Sequence, residues 1–390
     1  MSKIIIFRNT RRDFIFTAEY IQVIVEELVK RGHAVTAYDP KRRRVMDFSS
    51  QKCKTILPLP KKLEVPVLYI PLNIIALIIF AIKNNRKYDY ATFMYCRLEY
   101  IVLARLLFKI AKVNYALIFG NIFRRAVKLI KIFPSFYLNS DLILVPSGEH
   151  RDSFVDFMEE KLDMNLNDKT KHCLLPIPSL DELDKISEEK IKSIFIKYDI
   201  PEHNITLFLG TCASRNEQHL RIIDSLAQLE SEKTFKSSDL TLIFPLTYSE
   251  SRYYEQDKIN IISYAKTKLK NYNCIYLTNY LPSEEYLALL KGSDIFVNVR
   301  LSDQFAASLI EALFSNIIVL CGSWLPYSKF ITKYEIEILE IDDVSKLSYK
   351  INDILYNFEE HKQNAEQNKS KIALAYDNIN SLNRFCGIFE

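Results

Sequence analysis

Short unbroken apolar runs alternate along this chain with longer stretches in which apolar residues recur every three or four positions. A strand buried on both faces gives the first pattern, and a helix lying on a sheet gives the second. In the first half, runs at 3–7, 34–38, 90–94, 115–119 and 142–145 predict strands. The periodic stretch 16–31 predicts a helix that stops at Gly32, just after the bases Lys30 and Arg31. A second series runs from Ile205 to about Ile341, with strands at 207–209, 294–299 and 317–320 and helices from about Glu217 and near Phe305. Polar helical patterns at 344–356 and 359–375 close the chain. The proline-containing run Leu174–Ser179 precedes a charged helical stretch at 181–198 and marks the join between two domains, 1–175 and 176–365. The alternation implies an α/β architecture of parallel sheets covered by helices.

The stretch from Ser302 to Leu313 carries the most specific chemistry, because it sets two carboxylates, Asp303 and Glu311, eight residues apart across a loop-to-helix junction. A helix entered there from a strand directs its N-terminus to the sheet's carboxyl edge, where the amides of Ala306, Ala307 and Ser308 suit a diphosphate. Glu311, about two turns on, suits ribose hydroxyls, and Asp303 in the loop suits the sugar. An amphipathic helix with a capping Asp and one solvated Glu accounts for the same residues. These residues resemble the retaining GT-B glycosyltransferases, whose second domain carries Glu-x-Phe-Gly-x-x-x-x-Glu-Ala-x-Ala; Asp303, Phe305, Glu311 and Ala312 fall in register. Asp303 stands in place of the first glutamate and Ala306 in place of the glycine.

The loop after Leu209 extends the likeness. The family holds donor phosphates with an arginine and a lysine after a strand-ending glycine; here Gly210 is followed by Thr211 and Asn216 at those positions, leaving Arg215 as the phosphate ligand. A narrower resemblance, covering roughly 205–325, is to bacterial transferases of 4-acetamido-4,6-dideoxygalactose. It rests on Ser214-Arg215-Asn216-x-x-His219, on Phe244-Pro245-Leu246-Thr247-Tyr248, and on the run from Leu277 through Tyr280 to Glu285-Tyr286-Leu287-Ala288-Leu289-Leu290. The resemblance implies a GT-B fold, two Rossmann-like domains whose parallel sheets face a central cleft, with the chain's last part, 366–390, returning as a helix to the first domain. Gly210, Thr211, Asn216, Tyr280, Phe305, Ala306, Ala307 and Glu311 would bind the donor, with Asp303 and Arg215 as catalytic groups. Glu149 and His150, after the strand at 142–145, are acceptor-side candidates; an ordinary surface helix start explains them as well.

Composition narrows the classes. No two of the 7 glycines lie within ten residues of each other, so no Gly-rich dinucleotide or phosphate loop is present. The 7 cysteines are scattered without a Cys-x-x-Cys pair, which points to reduced thiols and to no metal site. Residues 1–140 hold 25 Lys and Arg against 9 Asp and Glu, a balance of +16, while the whole chain is at +4. The bases cluster at Lys41-Arg42-Arg43-Arg44, Lys61-Lys62, and Arg124, Arg125, Lys128 and Lys131, among apolar neighbours. Such a face suits an anionic membrane surface or a lipid-pyrophosphate acceptor, and no nucleic-acid module accompanies it. The uncharged run Val65–Ile82, broken by Pro66, Pro71 and Asn73, reads as a helix of the first domain or of the membrane interface. Met1–Phe7 is too short an apolar run for a signal peptide and reads as a first strand.

The expected activity is metal-independent hexosyl transfer, with retention, from a nucleotide-sugar to a glycan or lipid-linked acceptor in bacterial surface polysaccharide or glycoconjugate synthesis. No cofactor is expected beyond the nucleotide-sugar co-substrate. The expected location is cytoplasmic, peripheral on the inner face of the membrane. The departures at Thr211, Asn216, Asp303 and Ala306 leave an alternative, a non-catalytic GT-B subunit that stabilises or docks a partner enzyme.

Overall fold

The structure, a computed structural model, describes residues 2–7, 19–39, 43–48, 50, 52–56, 66–84, 87–94, 114–118, 142–145, 148–172, 177, 179–229, 236–248, 253–303, 305–377, 382–383 and 385–389. They form two compact units, 1–177 with 377–390, and 178–376.

Unit 1 is built on an eight-stranded sheet. Its strands are β1 (Lys3–Phe7), β2 (Ala34–Asp39), β3 (Arg44–Asp47), β4 (Lys52–Thr55), β5 (Tyr90–Met94), β6 (Asn114–Ile118), β7 (Leu142–Val145) and β8 (Thr170–His172), in the order β4-β3-β2-β1-β5-β6-β7-β8. All pairings are parallel except β2–β3 and β3–β4. That antiparallel edge was not legible in the sequence, since Lys52, Lys54, Arg43 and Arg44 give it a charged pattern and β3 is only half-buried. Among the described helices of this unit are α1 (Glu19–Lys30), α2 (Pro66–Lys83) and α3 (Gly148–Leu162). Helix α2 continues through Pro71 and buries Ala76, Leu77 and Phe80, with the Phe80 ring stacked 4.6 Å from Tyr38 of β2. Its Asn73 is fully buried and accepts a 2.8 Å hydrogen bond from Arg43 Nη1. Arg43 is therefore an interior residue with φ +59°, not part of an exposed basic face. The other clustered bases at 41–42, 61–62, 124–125, 128 and 131 lie outside the described residues, as does Gln304.

Unit 2 carries a six-stranded sheet of β9 (Ile205–Leu209), β10 (Leu240–Pro245), β11 (Asn273–Leu277), β12 (Ile295–Asn298), β13 (Ile318–Gly322) and β14 (Leu339–Ile341). Every pairing is parallel, in the order β11-β10-β9-β12-β13-β14. The apolar runs are strands because both faces are covered: β10, β12 and β13 are buried at every position. Its helices are α4 (Ser179–Lys185), α5 (Glu188–Lys197), α6 (His219–Leu229), α7 (Tyr254–Lys268), α8 (Ser283–Lys291), α9 (Ala307–Phe314), α10 (Ser328–Tyr334), α11 (Leu347–Tyr356), α12 (Phe358–Glu366) and α13 (Asn368–Ala375). Leu207, Leu209, Ile295 and Val297 pack with Ile222, Ile223 and Leu226 of α6 and Ile351 and Ile354 of α11. On the opposite face Phe208 meets Phe296 and Tyr286. The chain leaves this unit after Tyr376 and not at 366, because Ala365, Ile372 and Ala375 are buried within it. Phe385, Cys386 and Phe389 then join Ile4, Ile6 and Ile24 in the core of unit 1.

Candidate functional site

The sheet of unit 2 reverses its winding between β9 and β12. From β9 the chain goes outward to β10 and β11, then returns to β12 on the other side and continues to β13 and β14. Ligands of open α/β sheets bind beyond the carboxyl ends of the two strands flanking such a reversal. In this chain those ends are Gly210-Thr211 and Val299-Arg300. The register sets Leu209 beside Val297, and Gly210 donates its amide to Val297 O at 2.9 Å.

Arg300 lies at the centre of that edge. Its Nη1 donates to Asp303 Oδ1 at 2.9 Å, and its Nη2 reaches Glu217 Oε1 at 2.9 Å and the Thr211 hydroxyl. Burial opposes this charge, but Glu217 and Asp303 together raise the guanidinium above its usual range. Glu217, 2% exposed, also accepts from Thr211 Oγ1 at 3.0 Å and Cys212 Sγ at 3.4 Å. Burial, followed by the charge of Glu217, pushes the Cys212 thiol up to about 12. Beside it, His219 bonds Cys212 O through Nε2 at 2.8 Å, and burial pushes its imidazole below its usual range.

The two loops are clasped elsewhere too. Asn216 Nδ2 donates to Ser302 O at 2.8 Å, Leu301 N to Asn216 O at 2.8 Å, and Gln218 Nε2 to Val299 O at 2.5 Å. Trp324, the chain's one tryptophan, donates its indole N–H to Arg300 O at 2.7 Å. Its ring folds over Gly322, where a Cβ would collide with it.

Helix α9 starts at Ala307, two residues later than the pattern predicts. Phe305 holds φ +67° and packs edge-on to Tyr327 and Phe330 at 5.6 and 4.8 Å. The left-handed residue is thus the phenylalanine, while Ala306, in the family's glycine position, is extended at φ −64° and ψ 141°. Asp303 Oδ2 accepts the Ala306 amide at 2.9 Å and the Tyr327 hydroxyl. The Ala306 amide is therefore spent internally, and the helix presents those of Ala307 and Ser308. Asp303 itself, 5% exposed and held at both oxygens, anchors the loop rather than standing ready as a free acid. Glu311 is 7% exposed and accepts from Ser179 Oγ at 2.5 Å. The Tyr286 hydroxyl is pushed well up, by burial first and then by the charge of Glu311.

Arg215 is elsewhere on the loop. Its Nε and Nη2 both bond Asp257 Oδ1 at 2.9 Å, its side chain is 72% exposed, and it lies over the Tyr253 ring. Tyr280, after β11, is 65% exposed at the same carboxyl edge. In unit 1, Glu149 lies in the first turn of α3 and His150 follows it. The structure therefore gathers Gly210, Thr211, Asn216, Asp303, Phe305 and Ala306 around a cation that sequence reasoning missed. Arg215 is not the nearest cation to Thr211; Arg300 is. The available signal was its place two residues past β12, opposite Thr211.

No protein family and no curated protein matches this sequence. Solved structures do. HepE from Anabaena, in complex with UDP and glucose, aligns over 100% of this chain and 99% of its own at 12% identity and TM-score 0.72. Sucrose-phosphate synthase from Thermosynechococcus elongatus aligns over 100% and 98% at 12% identity and TM-score 0.74. An α,α-trehalose-phosphate synthase (UDP-forming) from Burkholderia vietnamiensis aligns over 99% of each chain at 10% identity and TM-score 0.74.

Proposed function

From the premise that this chain has the GT-B fold, we propose that it is a glycosyltransferase whose second unit binds a nucleotide-sugar at the β9/β12 edge. The observation that carries this reading is the convergence there of the Gly210 loop, the Arg300 loop and the N-terminus of α9. The complex of HepE with UDP and glucose supports a UDP-sugar as the donor class. A diphosphate would lie over the Ala307 and Ser308 amides, with Arg215, solvent-facing and bonded to Asp257, as the cation that meets charge building on the leaving group. Glu311 would take the ribose hydroxyls, and Asp303 would act through the loop it anchors. Phe305 and Tyr280 flank the donor. The acceptor, a glycan or a lipid-linked sugar, would meet unit 1 near Glu149 and His150, with its basic segments on an anionic membrane. Metal-independent transfer with retention, in surface polysaccharide or glycoconjugate synthesis, completes the proposal.

A second reading, a non-catalytic subunit of the same fold, has one observation in its favour. Arg300 faces two carboxylates, so the group carries a net charge of −1 where a diphosphate would approach. A thermal-shift and calorimetric screen of UDP-, GDP-, dTDP- and CMP-sugars separates the two. Stabilisation by one nucleotide class, followed by sugar release, is expected of the enzyme; no stabilisation by any of them refutes it.

A further inference from the structure

Arg300 and Glu217 form an incomplete pair. Each carboxylate meets the guanidinium through one oxygen, Glu217 Oε1 on Nη2 and Asp303 Oδ1 on Nη1, so both use the Nη end of the fork. Arg300 Nε and Glu217 Oε2 are buried and have no partner. A pair optimised only for its own attraction would satisfy these atoms in a bidentate contact. What the arrangement achieves is a bridge. One planar group ties the loop after β9, through Glu217 and Thr211, to the loop after β12, through Asp303, and Asp303 in turn accepts the Ala306 amide that precedes α9. The Arg300 carbonyl extends the bridge to the Trp324 indole.

We propose that Arg300 is the positioning residue of the donor site, aiming the first amides of α9 through Asp303 while its own charge stays engaged by Glu217 and Asp303. This rests on the glycosyltransferase reading above and deepens it. If Arg300 instead gripped phosphate directly, Glu217 would be its competitor. The two roles predict opposite outcomes. A lysine keeps the charge but cannot reach two carboxylates and a hydroxyl at once, so positioning fails with lysine while simple charge attraction survives it. Neutralising Glu217 would release a phosphate-gripping arginine and tighten anion binding; in the positioning role it loosens the bridge and weakens binding.

The test is a titration of the full chain with UDP, read by Trp324 fluorescence and by calorimetry, for wild type, Arg300→Lys and Glu217→Gln. Amide hydrogen exchange at Ala306 is followed without ligand. Both variants are expected to bind UDP about tenfold more weakly, since small misalignments of a site cost that much or more. The Ala306 amide should exchange faster in both variants. Tighter UDP binding by Glu217→Gln overturns the proposal. So does Arg300→Lys binding within about twofold of wild type, well under 1 kcal/mol, with Ala306 still protected. Failure of the wild type to bind any nucleotide diphosphate would refute the functional reading instead, and Ala306 exchange would still decide whether Arg300 positions this loop.

Discussion

Replacing Gly210 with alanine tests whether the edge between β9 and β12 is a prearranged polar centre. Gly210 holds φ +70°, which costs an L-residue about 1–2 kcal/mol. Its added Cβ would lie 2.6 Å from Glu217 Oε2 and 3.3 Å from Glu217 Cδ, so the carboxylate must swing away. Glu217 is 2% exposed and its partner Arg300 is 12% exposed by side chain, so little solvent screening softens the loss. Breaking a buried pair outright costs about 3–5 kcal/mol, and a displaced carboxylate retains part of that attraction. Alanine also restricts the unfolded chain, which returns about 0.4–1 kcal/mol. The net expectation is a loss of about 2–4 kcal/mol from unit 2. Urea unfolding followed by Trp324 emission reports this unit, because the chain's only tryptophan is there. In the Glu217→Ala background the same glycine substitution should cost less, with a coupling of about 1–3 kcal/mol. A Gly210→Ala protein within about 0.5 kcal/mol of wild type, or strict additivity in the double variant, would refute the reasoning.

Burial depresses the His219 pKa, so the unfolded chain binds its proton first as pH falls. The stability held by the neutral ring is then present above about pH 6.5 and lost below it; His219→Gln should flatten the fall in Tm between pH 7.5 and 5, and an unchanged slope would sink this assignment. Glu311→Ala should weaken nucleotide-sugar binding by about 1.5–3 kcal/mol in calorimetry. The Ser179→Ala control, which removes its partner at 2.5 Å, should leave affinity close to wild type, and equal losses in both would mean that Glu311 serves α4 rather than ribose. Replacing Arg42, Arg124 and Arg125 with serine should remove most sedimentation with phosphatidylglycerol vesicles, at about 1 kcal/mol per base. Arg43 is left in place because it is paired with Asn73, and a wild type that stays in the supernatant at low salt would end the membrane reading.

The periodic signals were legible because they are local. Apolar runs of strand length, a glycine after Lys30-Arg31, and the stretches between them in which apolar residues recur every three or four positions sufficed for an α/β chain with parallel sheets, and the Ser302–Leu313 pattern set the helix between β12 and β13. The first turn of that helix was misjudged because its cap depends on Asp303, and Asp303 depends on Arg300 and Tyr327, twenty-four residues further along. Arg300 itself carries no local mark: a base after a strand is ordinary until a strand 88 residues earlier, β9, is laid beside β12 and sets Thr211 and Glu217 against it. Arg43 shows the converse, a residue in a basic cluster whose interior place follows from Asn73 on a distant helix. Secondary structure follows from neighbours in sequence, whereas the charge state and aim of a buried polar group follow from which loops the sheet brings together, and only the tertiary structure decides that.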